Sequence, residues 1–215
     1  MKRRCRRASA KVAADTSIVV QSFDDRSQAS SPAALCTHGT IARPPHGVRA
    51  GTLVDAALIP SASIRGDGEA KWAGHRRRKP VHGYKAHVAT DEGAGLVRGV
   101  EVTTADAHDA AGLERVLPPE PGDAYGDSAF TGGAAERVII GRGGRPHTVW
   151  TGIWGRGPEA LGRLEVHNAA VRRVRCRIEK VFGTWKRSYG LRRMRWLGLA
   201  KAGLQVTLGQ TAPKM

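Results

Sequence analysis

One carboxylate inside an apolar run constrains the fold of this chain more than any other feature. Residues 51–60 read GTLVDAALIP, a short apolar segment with a turn signal at each end, which predicts a buried strand. Asp55 lies in its middle, and Leu53, Ala57 and Ile59 share its face because side chains alternate along a strand. An unpaired carboxylate there would be costly or stay protonated, so Asp55 needs a cation or hydrogen-bond donors.

The pattern that follows predicts a mixed α/β or α+β domain, because strands come first and helices follow. Residues 81–92 alternate as a half-buried strand, and they form a hairpin with a strand at 96–104. The remaining predictions are a loop at 61–80, a helix at 105–117, a strand in 123–130 that ends at Asp127, a short helix or helix–strand piece at 132–140, a loop at 141–158 and a helical region at 158–189.

Charge is distributed unevenly along the chain. Residues 141–215 carry 16 Lys and Arg against 3 Asp and Glu, whereas residues 51–140 carry 10 against 13. A uniformly basic chain would suggest packaging or ribosomal assembly, but an acidic middle beside a basic flank suits metal ligands beside a phosphate-binding surface. We therefore expect a polyanion partner such as nucleic acid. No apolar stretch approaches the length of a membrane span, and we expect a cytoplasmic, nucleoid-associated protein.

The domain boundaries follow from composition. Residues 1–50 form a basic, irregular arm that we expect to be disordered, residues 51–208 form the ordered domain, and residues 209–215 form a polar tail. The three cysteines are far apart, so the sequence suggests neither a zinc site nor a disulfide framework.

Two further acids stand out beside Asp55. Asp127 ends a strand, where ligands often bind in α/β sheets, and Glu179 lies in the basic helix. On a continuous helix Arg175, Glu179 and Lys186 point within about 40° of one another, which suits a metal ligand beside groups that bind phosphate. A plain Arg–Glu ion pair within the helix explains the spacing equally well. Three carboxylates can also hold a pair of Mg²⁺ or Mn²⁺ ions.

Five segments carry a family resemblance: GTLVDAALI, HGYKAHVATDE, VTTADAHD, YGDSAF and RCRIEKVFGTWKRSYGLRRMRWLGLAK. In this order the segments resemble the DDE transposases of bacterial insertion sequences, in the insertion sequence 5 group, from about residue 51 to about residue 208. The resemblance implies a ribonuclease-H-like fold in which a mixed sheet carries Asp55 and Asp127 and a C-terminal basic helix supplies Glu179. It also implies double-stranded DNA as the partner, both at the element ends and at the target. The implied activity is Mg²⁺-dependent cleavage of the ends and strand transfer into target DNA, by a homodimer on DNA.

The chain departs from the family pattern in three places. Arg172 stands where a related signature often has Tyr. The family normally has a longer helical region before the first aspartate, where this chain has the irregular residues 1–50. The family's last segment usually continues as an apolar helix, whereas here it turns polar. We therefore expect a truncated copy with an intact metal site and impaired recognition of element ends.

Other basic residues are candidates for contact with DNA. Arg76, Arg77 and Arg78 could clamp the DNA backbone or form a solvated charge run, and Lys85 and His87 could touch substrate from the strand beside Asp55. Two functional classes remain open. One is a metal-dependent DNA transposase, with a simpler nuclease as a weaker variant, and the other is a catalytically dead DNA-binding remnant.

Overall fold

A computed structural model describes residues 51–75, 78–151 and 157–211. The expected disorder of residues 1–50 lies outside these ranges, as do Arg76 and Arg77. None of the described helices is long and apolar enough to cross a membrane.

The described chain forms one six-stranded mixed sheet with helices packed against it. The strands are β1 (Thr52–Pro60), β2 (Lys71–His75), β3 (Arg78–Asp91), β4 (Val97–Thr104), β5 (Asp123–Gly126) and β6 (Arg145–Thr148). The helices are α1 (Leu113–Val116), α2 (Gly133–Gly141), α3 (Pro158–Arg175), α4 (Ile178–Ser188) and α5 (Leu199–Thr211). A 3₁₀ turn, Ser128–Phe130, follows β5.

The sheet is antiparallel on one side of β1 and parallel on the other. Its order is β2-β3-β1-β5-β6, and β4 also pairs with β3. Strands β2 and β4 both run antiparallel to β3, as does β1, whereas β1–β5 and β5–β6 are parallel pairs. This mixed α/β arrangement is compatible with the predicted ribonuclease-H-like fold.

Two apolar clusters cover the two faces of the sheet. On one face, Tyr84 and Val88 of β3 pack with Trp185 of α4 and Val206 of α5. On the other face, Ala89 of β3 belongs to a cluster that includes α1 and α2 residues. Strand β3 is therefore covered on both faces, and residues 83–91 are all buried. The prediction of a half-buried strand was wrong because it did not anticipate helices on both sides.

The predicted strand at 51–60 and the hairpin of 81–92 with 96–104 are confirmed. Strands β2 and β6 were missed inside predicted loops. Both are short and contain residues with little strand preference, and β6 exists because its backbone pairs with β5. The polar tail was also placed too early, since α5 continues through Thr211.

Of the predicted helix at 105–117, only the single turn of α1, Leu113–Val116, is α-helical. The carbonyl of Ala107 accepts a hydrogen bond from Lys85 Nζ, and the carbonyl of Asp109 contacts Nδ1 of His87 at 2.9 Å. Side chains from the sheet thus bind carbonyls that a helix would pair with its own amides. The segment 105–112 forms turns over β3 instead.

A buried polar network ties the loop after β1 to the rest of the domain. Asp67 accepts hydrogen bonds from the Tyr84 hydroxyl at 2.7 Å and from the Gly198 amide at 3.3 Å, and Ser61 also donates to it. The Ser61, Tyr84 and Gly198 hydrogen bonds lower the pKa of Asp67 against the opposing effect of burial. The carboxylate therefore stays charged and joins β3 to the start of α5.

Gly112 leaves no room for a side chain, which gives a test of this packing. A Cβ there would lie 2.4 Å from Cγ of His87. We expect Gly112→Ala to lower the free energy of unfolding by about 1–3 kcal/mol, because the segment must move off the sheet. Chemical denaturation measures the change. Gly162→Ala is the control, since nothing lies within 4 Å of its Cβ position in α3 and it should stabilise slightly. Equal effects of the two substitutions would contradict this packing.

Candidate active site

Asp55 sits at the centre of the sheet with one oxygen already satisfied. Its Oδ1 accepts the Ala56 amide at 2.9 Å, and its Oδ2 lies 2.9 Å from Nη2 of Arg175. The side chain is 14% exposed. Burial raises the pKa of Asp55 and the nearby Asp127 carboxylate raises it too, although Arg175 and the Ala56 amide act in the opposite direction. The prediction that Asp55 needs a cation or donors is confirmed, since it has both.

Asp127 reaches the same place because β5 runs parallel to β1. Thr52 pairs with Ala124 and Leu53 with Tyr125, and the same register continued past the end of β5 sets Asp127 beside Asp55. Its Oδ1 accepts the Ala129 amide at 2.9 Å and caps the 3₁₀ turn. Its Oδ2 lies 3.8 Å from Nη2 of Arg175. Strand register therefore brings together two acids that are far apart in sequence.

Arg175 is the last residue of α3, and its guanidinium lies between the two aspartates. A single nitrogen, Nη2, faces Oδ2 of both carboxylates. The side chain is 23% exposed. Its Nε is buried and has no hydrogen-bond partner. Arg175 was predicted to bind DNA, and in the structure its guanidinium faces the two aspartates.

Glu179 is not brought to the aspartates. It is exposed on α4, and among the described residues no group of three or more His, Cys, Asp or Glu side chains is placed to hold a metal ion. The predicted sharing of one helix face by Arg175 and Glu179 assumed one continuous helix. The structure has two, with Cys176 and Arg177 between them.

The junction between α3 and α4 contains 3₁₀-type backbone hydrogen bonds. The amides of Arg177, Glu179 and Lys180 bond to carbonyls three residues earlier, at 3.2, 3.3 and 3.1 Å. Such 3₁₀-type bonding turns the chain about 120° per residue instead of about 100°. Over the four residues from Arg175 to Glu179 this adds up to about 80° to the angle between the two side chains around the helix axis. The added rotation explains why Arg175 faces the aspartates while Glu179 is exposed.

A second ion pair holds the same junction to the sheet. Arg177 Nη1 lies 2.9 Å from Oε1 of Glu92, at the end of the β3–β4 hairpin. Glu92 also accepts the Gly51 amide at 3.3 Å, so it links the junction to the start of β1. The sequence interpretation missed this pair, and no spacing rule connects residues so far apart.

The predicted DNA contacts of Lys85 and His87 are not supported by their position. Val88 pairs with Asp55 and shares its face, so the flanking His87 points to the opposite side of the sheet. His87 is 2% exposed and contacts Thr103 Oγ1 at 2.8 Å, and Lys85 forms an ion pair with Asp109 at 2.8 Å. Both residues hold the 105–112 segment to β3 instead.

The other predicted DNA contacts divide by position. Arg76 and Arg77 lie outside the described residues, and Arg78 begins β3. Lys186 is exposed on α4. The exposed cations of α3 and α4 near the junction and beyond it are Arg172, Arg173, Lys180, Lys186 and Arg187.

The aspartate pair fits a divalent cation in its donor chemistry. Carboxylate oxygens are the ligands that Mg²⁺ and Mn²⁺ prefer. Asp55 Oδ2 and Asp127 Oδ2 already converge on one positively charged nitrogen. Two of the three predicted ligands therefore face a common point, and the third, Glu179, is exposed on α4.

Comparison with known proteins identifies the family of this chain. The family model described as "Transposase DDE domain" matches residues 46–212, most of the chain. The chain therefore belongs to the transposase DDE domain family. No solved structure matches it.

Burial of His87 predicts a specific loss of stability in acid. Burial lowers the pKa of His87 below its ordinary value of 6.5. The unfolded chain therefore takes up this proton first, and the free energy of unfolding falls as pH drops below about 6.5 towards the folded-state pKa. Denaturation at a series of pH values should show a shallower fall for His87→Gln than for the wild type. His108→Gln, at an exposed position, should keep the wild-type slope. A His87→Gln slope that matches the wild type would exclude this linkage.

Proposed function

We propose that this chain is a transposase of an insertion sequence, which cleaves DNA and transfers the strand with a divalent metal ion, Mg²⁺ or Mn²⁺. The observation that carries the proposal is the convergence of Asp55 Oδ2 and Asp127 Oδ2, set by the parallel register of β1 and β5. Family membership supports the transposase activity. The assignment to the insertion sequence 5 group and a homodimer on DNA belong to the same proposal and follow from the resemblance.

Asp55 and Asp127 are the proposed residues that hold metal, and Glu179 is the proposed third ligand. A bound metal ion would activate a water or a 3′-hydroxyl for in-line attack on a phosphodiester. A second ion would stabilise the leaving oxygen. The chain itself provides the rest. The Ala56 and Ala129 amides fix one oxygen of each aspartate, so the other oxygen keeps its direction.

The proposed DNA contact is a basic surface, formed by the exposed cations Arg172, Arg173, Lys180, Lys186 and Arg187 of α3 and α4. The exposed cations of α3 and α4 can neutralise backbone phosphates without reading sequence. Of the residues predicted from sequence, Lys186 belongs to this surface.

A catalytically dead DNA-binding protein is the second candidate. The observation that favours it is the exposed position of Glu179, away from the aspartates. Both candidates bind DNA, and only cleavage separates them.

Cleavage is tested with supercoiled plasmid in Mg²⁺ or Mn²⁺. We expect the wild type to nick DNA, and Asp127→Asn and Asp55→Asn to lower the rate at least about a hundredfold, or about 2.7 kcal/mol of activation free energy. Glu179→Gln should behave similarly if it is the third ligand. Asp123→Asn is the matched control, because Asp123 lies on β5 but pairs with Arg145 at 2.7 Å. Equal nicking by wild type and Asp127→Asn would refute the assignment, and binding without any nicking would favour the second candidate.

DNA binding is tested by its dependence on salt. We expect Lys186→Gln to weaken affinity for unrelated DNA sequences to the same extent. The slope of log K against log salt should fall by about 1, because one phosphate contact is lost. Arg137→Gln on α2 is the control, since α2 packs on the other face of the sheet. Fluorescence anisotropy of labelled DNA measures the affinity of each variant and its dependence on salt. An unchanged slope for Lys186→Gln, or an equal change for Arg137→Gln, would place the DNA elsewhere.

A further inference from the structure

We propose that the Arg175 guanidinium is the resident cation of the aspartate pair, and that a divalent metal ion binds there only in exchange with it. This inference rests on the proposed function, because it requires Asp55 and Asp127 to be metal ligands. It goes beyond that function because it gives Arg175 control over metal loading.

The exchange follows from which oxygens are free. The Oδ1 atom of each aspartate accepts a neighbouring backbone amide, at 2.9 Å in both cases. The Oδ2 atoms both face Nη2 of Arg175 instead, at 2.9 Å from Asp55 and 3.8 Å from Asp127. A metal ion shared by these two oxygens needs the place that Nη2 occupies. The two cations are therefore mutually exclusive.

The Arg175 position is incompletely satisfied, which favours exchange over a permanent structural role. Its Nε is buried without a hydrogen-bond partner, and a buried donor left unpaired is unfavourable. Arginine–carboxylate pairs are frequently bidentate, with two parallel N–H···O hydrogen bonds to one carboxylate. Here one nitrogen faces two carboxylates, which is the arrangement of a shared point charge.

The junction after Arg175 allows the side chain to leave. The 3₁₀-type bonds at Arg177, Glu179 and Lys180 interrupt the regular helical bonding, and such interruptions often mark hinges. The Arg177–Glu92 ion pair holds the junction to the sheet from the exposed side. Release of Arg175 therefore does not require α4 to detach.

Metal binding by the full chain without DNA tests the proposal. The probe is Mn²⁺ alone, and free Mn²⁺ is counted by electron paramagnetic resonance during titration. We expect Arg175→Gln to bind Mn²⁺ at least about tenfold more tightly than the wild type, within the usual range of coupling between two sites. Added Mn²⁺ should also raise the melting temperature of Arg175→Gln more than that of the wild type.

Arg177→Gln is the matched control. It removes the same charge two residues away, but its partner is Glu92 rather than the aspartates. We expect its Mn²⁺ affinity to stay within about twofold of the wild type, since the substitution reaches the aspartates only through long-range electrostatics. An equal gain in both variants would show a general charge effect and overturn the exchange.

Loss of folding must be separated from loss of competition. Circular dichroism reports whether Arg175→Gln folds without metal, and Arg175→Lys offers a second variant that keeps the charge on a shorter, single-point donor. Arg175→Lys should bind Mn²⁺ more tightly than the wild type and more weakly than Arg175→Gln. Affinities of both variants at or below the wild-type value would overturn the proposal.

Failure of the exchange and failure of the proposed function give different results. If the wild type binds Mn²⁺ and Asp55→Asn abolishes that binding, but Arg175→Gln binds no more tightly, only the exchange is refuted. If neither the wild type nor Arg175→Gln binds Mn²⁺, the metal site itself is refuted, and the exchange falls with it.

Discussion

The parallel pairing of β1 with β5 is the constraint on which the site depends. Thr52 opposes Ala124 and Leu53 opposes Tyr125, so the strands carry Asp55 and Asp127 to neighbouring positions on the same face of the sheet. Two carboxylates held this close repel each other, and burial of Asp55 adds to the cost of its charge. A positive charge between them offsets this cost, and Arg175 supplies it in this structure.

The two faces of the sheet contact different parts of the domain. The face that carries Asp55 also packs α4 and α5, through residues such as Trp185 and Val206. The opposite face carries Lys85 and His87, which bind the turns of the 105–112 segment. This division explains why neighbouring residues of one strand have unrelated roles. Alternation along β3 sends every second side chain to a different environment.

The α3–α4 junction connects the basic surface to the aspartates. Arg175 faces the carboxylates, Arg177 pairs with Glu92, and exposed cations lie on the helices to either side. A helix that continued without interruption would turn Glu179 towards the side of Arg175. The 3₁₀-type hydrogen bonds of the junction are present instead, and Glu179 is exposed to solvent.

The sequence by itself determined the strand around Asp55, the hairpin, the helical C-terminal region and the requirement that Asp55 meet a cation or donors. These follow from local patterns, since hydrophobic periodicity and desolvation act over a few residues. Only the tertiary structure decided which cation Asp55 meets, that Asp127 lies beside it, and that Lys85 and His87 face away. It also decided that β6 pairs with β5 and that Glu179 points outward. Those outcomes depend on strand register and on contacts between distant segments, which no local pattern encodes.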